Sequence, residues 1–228
     1  AIGTELVAKS APDGYTLLVI SSTLMINAVT FKKPPYDPIR DFAPISTLIS
    51  APHFVSVNAA MPVNSVKELI ALARAKPGYI NFGSGGVGSL THLEGEFFKS
   101  AAGIHIVHVP YKSTNLAFTE LVGGHVHLVF SSTVSTLPFV KTGKIRVLAV
   151  TGSKRLAAFP EIPTVAESGL PQFIVDTIAG LLAPAKTPRD IVNRLSAETI
   201  RFLKTPEMHS ALAAQGAEPG GSTPQEYA

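Results

Sequence analysis

Residues 79–92, Tyr-Ile-Asn-Phe-Gly-Ser-Gly-Gly-Val-Gly-Ser-Leu-Thr-His, join a short apolar stretch to a glycine-serine turn and the start of a helix. The residue types there suit one chemistry, the holding of an anion. Gly83, Gly85, Gly86 and Gly88 let the backbone take positive φ and approach a ligand with no side chain in the way. Ser89 can cap the following helix, whose first N–H groups lack intrahelical partners and carry partial positive charge. Ser84, Ser89, Thr91 and the amides of Gly85, Gly86, Val87, Gly88 and Ser89 are therefore the expected grip for a carboxylate.

Other polar residues gather where apolar stretches end: Ser21-Ser22-Thr23, Tyr111-Lys112-Ser113 and Ser131-Ser132-Thr133, with Asp176 before the apolar run 178–182. Within the three hydroxyl-rich clusters only Lys112 is ionisable. Neutral donors hold a carboxylate reversibly and are a poor toolkit for breaking bonds, so no catalytic residue is assigned. Ser22, Thr23, Ser131, Ser132 and Asp176 are expected to read the remainder of the ligand.

Two rival roles attach to the same turn. Gly83-Ser-Gly85-Gly-Val-Gly88 matches G-x-G-x-x-G between a strand and a helix, the dinucleotide fingerprint. That fingerprint also wants an acidic residue about 20 positions on for the ribose hydroxyls. Here the next strand ends in Pro110-Tyr111-Lys112-Ser113, and only Lys112, facing a 2′-phosphate, keeps an NADP-dependent oxidoreductase open as the alternative. A turn whose glycines serve packing alone is the other. A mononucleotide P-loop lacks its Gly-Lys-Ser/Thr, and no serine of the turn has glycine at both −2 and +2, as a nucleophile elbow requires.

The histidines offer less. His125 and His127 would face the same way on a strand, but no Asp or Glu stands out nearby to complete a metal set, and no metal is expected. His105 and His108 point to opposite faces of a strand. His92, just inside the helix after the turn, can reach back towards the ligand or hydrogen-bond the backbone beneath the loop.

Positioning such residues needs a scaffold, and the chain alternates strand and helix along its length. Residues 16–20, 79–82, 104–109, 127–130, 146–151 and 173–182 are predicted strands. Residues 65–75, with Asn64 as cap, and 89–102, 115–122, 190–203 and 207–214 are predicted helices. Two extended segments, 43–50 and 54–58, flank Pro52. Alternation of this kind predicts an α/β fold with mostly parallel sheets flanked by helices. The extended stretches at 43–58 and 173–184 are predicted to cross between two lobes, 1–52 with 177–228 and 53–176.

Composition removes other classes. The 228 residues are 46% hydrophobic and 15% charged, with a thinly spread net charge of +3 and no tryptophan. No basic run tracks a phosphate backbone, so nucleic acid is not an expected partner. Cysteine is absent, which removes disulfides and thiolate chemistry. No apolar run reaches membrane-spanning length, so the chain is not expected to be membrane-inserted, and any export signal is expected to have been removed.

Several strings, in order and across nearly the whole chain, carry a family resemblance. They include Ala11-Pro-Asp-Gly-Tyr-Thr-Leu-Leu18, Tyr36-Asp-Pro38, Asp41-Phe-Ala-Pro44, Ser65-Val-Lys-Glu-Leu-Ile70, Thr91-His-Leu93 and His108-Val-Pro-Tyr-Lys112. Gly143-Lys144, Arg146-Val-Leu-Ala-Val150, Pro163-Thr-Val-Ala-Glu-Ser-Gly-Leu170, Gly180-Leu-Leu-Ala-Pro184 and Gly216-Ala-Glu-Pro219 complete them. Together they resemble the substrate-binding receptors of tripartite tricarboxylate transporters, the Bug (TctC-like) family. The resemblance implies a two-lobed, type II-like periplasmic binding-protein fold with two crossing strands. It further implies no cofactor, a small organic carboxylate (a di- or tricarboxylate or an aromatic acid) as ligand, and membrane permease subunits as partners. Relative to that family the chain starts past the first strand-loop-helix, so an incomplete N-terminal lobe is expected; a short paralogue that binds nothing and serves interaction or signalling is a further alternative. Ser113, Ser131-Ser132 and Asp176-Thr177-Ile178 depart from the family pattern.

Overall fold

The computed structural model describes residues 2–30, 33–140 and 142–228. The chain begins with α1 (Ile2–Ala8), β1 (Leu18–Ser21), α2 (Thr23–Thr30) and β2 (Phe42–Asn58). Then follow α3 (Val66–Ala75), β3 (Asn81–Ser84), α4 (Leu90–Ala102), β4 (Val107–Pro110), α5 (Thr114–Gly123) and β5 (Leu128–Ser132). After α6 (Thr133–Val140), β6 (Ile145–Val150) and β7 (Asp176–Pro184) come α7 (Arg189–Leu203), α8 (Pro206–Ala213), β8 (Glu218–Pro219) and α9 (Pro224–Tyr227). Two compact units result, 1–50 with 177–228 and 51–176.

In the unit 51–176, β3 lies between β4 and β5 and runs parallel to both, while the second half of β2 pairs antiparallel with β5 and β6. β5 shows why the strands hold. Leu128 and Phe130 point into a core with Leu69, Phe82, Phe98 and Phe173, and the intervening Val129 joins Ala117, Phe118 and Leu121 on the other face. Alternating side chains that are all apolar demand cover on both faces, which α4 and α5 supply.

In the other unit, β1 pairs antiparallel with β7, from Leu18 opposite Leu182 to Ser21 opposite Ala179. β8 pairs with the first half of β2 at Ile49 and Ser50. Val7, Leu18, Leu24, Tyr36, Phe42 and Leu182 form its main cluster, and Ile45, Ala183 and Val192 a second.

Three expectations change. The sheets are not mostly parallel: among the pairings described, β3 with β4 and with β5 are parallel, and β1 with β7 and β2 with β5, β6 and β8 are antiparallel. Helical crossovers make parallel neighbours in the run from β3 to β5, whereas β5 and β6, joined by α6, have the antiparallel β2 between them. The segments flanking Pro52 are one continuous strand. Pro52 falls between the residues paired with β8 and those paired with β5, where no ladder donor is needed. The cap of α3 is Ser65, not Asn64: its hydroxyl accepts from the Glu68 N–H, while Glu68 reaches back to the Asn64 N–H.

Candidate anion-binding turn

At their carboxyl ends β3 and β4 each pass through a turn into a helix and β5 runs directly into one, and each helix start carries a serine. Ser89 accepts from the His92 N–H at 3.2 Å, Ser113 from the Leu116 N–H at 3.3 Å, and Ser132 from the Ser135 N–H at 3.3 Å. The register that sets Ser84 beside Pro110 and Gly83 beside Val129 brings these strand ends together.

Within the glycine turn nearly every donor is assigned. The Gly85 N–H donates to Thr91 Oγ1 at 3.0 Å, Gly86 to Ser84 Oγ at 3.1 Å, and Gly88 to His92 Nδ1 at 3.2 Å. The Ser89 N–H donates to the Gly86 carbonyl, and the Ser89 hydroxyl reaches the same oxygen at 2.8 Å. Among the described residues the N–H groups of Val87, Leu90 and Thr91 have no acceptor. These amides stand at the positive end of the 13-residue α4. Of the amides expected to grip an anion, Val87 is thus the one left unengaged, and the other two unengaged amides lie one step into the helix. Gly86 and Gly88 hold φ of 114° and 81°, which only glycine adopts without strain, and a Cβ on Gly86 would stand 3.2 Å from the Tyr111 carbonyl oxygen.

Other expected contacts face inward. Ser84 is fully buried, its hydroxyl 2.6 Å from His108 Nε2, so it braces the turn rather than presenting a donor. Ser131, also fully buried, shares a 2.6 Å hydrogen bond with Thr136. Thr91 spends its hydroxyl on Gly85 and Ser89. Ser132 is partly exposed at the start of α6 and pairs with Ser135. Asp176 opens β7 and lies close to Gly152, whose added Cβ would meet its Oδ1 at 2.9 Å. Ser22 and Thr23 belong to the other unit. Ser22 begins α2, accepting from Met25 and Ile26 and donating its N–H to Ile178, and it borders an open, mainly apolar pocket of about 530 Å³ with Met25, Phe42 and Tyr227.

The histidines take structural roles. His92 hydrogen-bonds the turn backbone, and its ring lies 4.1 Å from that of His108, which also stacks on Phe82. Burial, then the charge of His92, holds His108 below the ordinary imidazole value of 6.5. His127 accepts the Asn81 N–H at 3.0 Å, and burial lowers it as well. His125 pairs with Glu120 at 2.9 Å, a carboxylate the sequence pattern did not single out because the two meet only across the turn after α5. A buried pair, His53 with Glu94 at 2.8 Å, ties β2 to α4. Among the described residues no three His, Asp or Glu side chains group as metal ligands, and no helix is long and apolar enough to cross a membrane.

The turn is thus a set of unengaged amides at a helix start with no ionised side chain in it, and comparison with known proteins places the chain in a family. All of residues 1–228 match the tripartite tricarboxylate transporter family receptor. A UPF0065 protein from the tcbD-tcbE intergenic region of Pseudomonas sp. strain P51 is 35% identical over 228 residues, covering 100% of this chain and 68% of that protein. The solved structure of R. palustris Rpa4515 with adipate superposes with a TM-score of 0.91 at 35% identity, over 99% of this chain and 76% of the other. MatC (Rpa3494) from Rhodopseudomonas palustris with bound malate gives 0.80 at 29% identity, over 96% and 74%. The chain belongs to the tripartite tricarboxylate transporter receptor family, with the α/β fold of periplasmic solute-binding proteins. Members of that family are periplasmic binding receptors rather than enzymes, and an NADP-dependent oxidoreductase finds no support in these relatives.

Proposed function

We propose that this receptor binds a small organic carboxylate, with one carboxylate on the amides of Val87, Leu90 and Thr91, and delivers it outside the cytoplasm to membrane permease subunits of a tripartite transporter. The observation that carries the assignment is the set of unengaged N–H groups at the start of α4, reached over glycines that leave the backbone bare. Adipate in one relative and malate in another support the ligand class. The units 1–50 with 177–228 and 51–176 are proposed to be the two lobes of the receptor. Ser132 and Asp176, whose types depart from the family pattern, are proposed to influence which acid is accepted.

The test is a thermal-shift and calorimetry screen of adipate, malate, citrate and benzoate against wild type and Gly86→Val. A ligand at 100 times its Kd stabilises the folded state by about 2.7 kcal/mol. Gly86→Val, placing a branched side chain at positive φ beside the amides, is expected to cost about 1–3 kcal/mol of strain and to remove the ligand-induced shift. Unchanged carboxylate affinity in that variant would place the site elsewhere.

A further inference from the structure

We infer that His92 is the positioning residue of this turn: its unprotonated Nδ1, backed by His108, holds the Gly88 amide and with it the neighbouring unengaged amides, so that ligand affinity is linked to protonation of His92. The Gly88 N–H donates to Nδ1 of His92, a bond that exists only while that nitrogen carries no proton. A protonated His92 would set two donors face to face and release Gly88, the residue between Val87 and the cap Ser89. Two turns of hydrogen bonding converge on the same pair of rings. Gly86 is held by Ser84 Oγ, and Ser84 Oγ by His108 Nε2, while the rings of His92 and His108 lie 4.1 Å apart, tilted by 33°.

The surroundings disfavour charge on His108. His108 packs against the Phe82 ring and is held below its ordinary value by burial and by the nearness of His92; of the charged groups on α4, Glu96 opposes that lowering and Lys99 adds to it. Two imidazolium rings at this distance would repel in a partly buried setting. On α4 the ionisable side chain one turn beyond His92 is Glu96, whereas Glu94 is buried in its pair with His53. The hydrogen bond from Gly88 requires an unprotonated Nδ1, and protonation there is the event that would break it.

The inference rests on the turn being the carboxylate site, and the experiment separates the two. In the ligand-free protein, NMR follows the His92 imidazole and the Gly88 amide from pH 8 to pH 5. The Gly88 amide is expected to shift in step with the His92 titration. In His92→Asn, whose Oδ1 can accept the same N–H without titrating, it is expected to stay flat. A Gly88 amide indifferent to the His92 titration overturns the inference with no ligand needed. In parallel, adipate and malate affinities are measured across the same range. Wild type is expected to weaken on acidification at least threefold more than His92→Asn, and the ratio between the two proteins cancels the acid's own ionisation. Equal pH dependence in both overturns the link to affinity. If Gly88 and His92 titrate together but no carboxylate binds either protein at any pH, the positioning role stands and the carboxylate assignment fails.

Discussion

Gly95 faces the Phe82 ring so closely that a Cβ there would fall 2.1 Å from the nearest ring carbon. Phe82 is fully buried and cannot swing aside into solvent. Gly95→Ala gains about 1 kcal/mol of helix propensity but overpacks the core, and should destabilise by about 1–3 kcal/mol in urea unfolding. The pair Gly95→Ala with Phe82→Leu should recover part of that loss if the clash is its cause. The same glycine shows a limit of single-residue inference. The run of glycines at 83–88 announces a turn, whereas Gly95 looks like a weak spot in a helix until the β3 ring beneath it is seen. Ser84 and Ser131 teach the converse, since a hydroxyl at a strand end can turn inward as readily as outward.

Like α6, three further helices of the unit 51–176, α3, α4 and α5, open with a serine whose hydroxyl accepts from a first-turn amide. Replacing such a cap by alanine costs about 1 kcal/mol. Ser65→Ala should show that loss alone, with ligand-induced stabilisation intact. Ser89→Ala should lose both, because its hydroxyl also holds the Gly86 carbonyl and Thr91. Equal ligand response in the two variants would separate the cap of α4 from binding. Of these starts the Ser89 cap, before a helix closed by Gly103, was legible in the sequence; the expected cap of α3, Asn64, lies one residue early, and Ser113 reads in the sequence as a strand-end donor. α6 was not legible. Pro138 interrupts its pattern, and Thr133–Val140 forms a helix because it packs against β5 and β6, not because its residues favour one.

Over the whole molecule, acid stability should follow two partly buried imidazoles. His108 and His127 are both held below 6.5, in each case chiefly by burial. Near that pH the unfolded chain takes up protons on these rings that the folded protein does not. Their contribution is therefore full above about 6.5 and is lost as pH falls through the lower folded values. The unfolding free energy should fall from pH 7 to pH 5. His127→Asn, which keeps an acceptor for the Asn81 N–H without titrating, should match wild type near pH 7 and lose less on acidification. An identical slope in the variant would remove His127 as a source.

The glycine turn, the Ser89 cap and the order of strand and helix are local properties, set by φ preferences and by hydrogen bonds within a few residues, and the sequence by itself determined them. The family motifs added the receptor class, because their order along the chain survives whatever contacts they make. Strand direction, the unbroken run of β2 past Pro52, the inward turn of Ser84 and Ser131, and the meeting of His92 with His108 were decided only by tertiary structure. Each depends on which segment lies beside which, as when the β3–β4 register sets Phe82 against His108 across 26 residues of chain. The unengaged amides of Val87, Leu90 and Thr91 belong to the same class: which donors of a turn remain for a ligand is known only once the partners of all the others have been found.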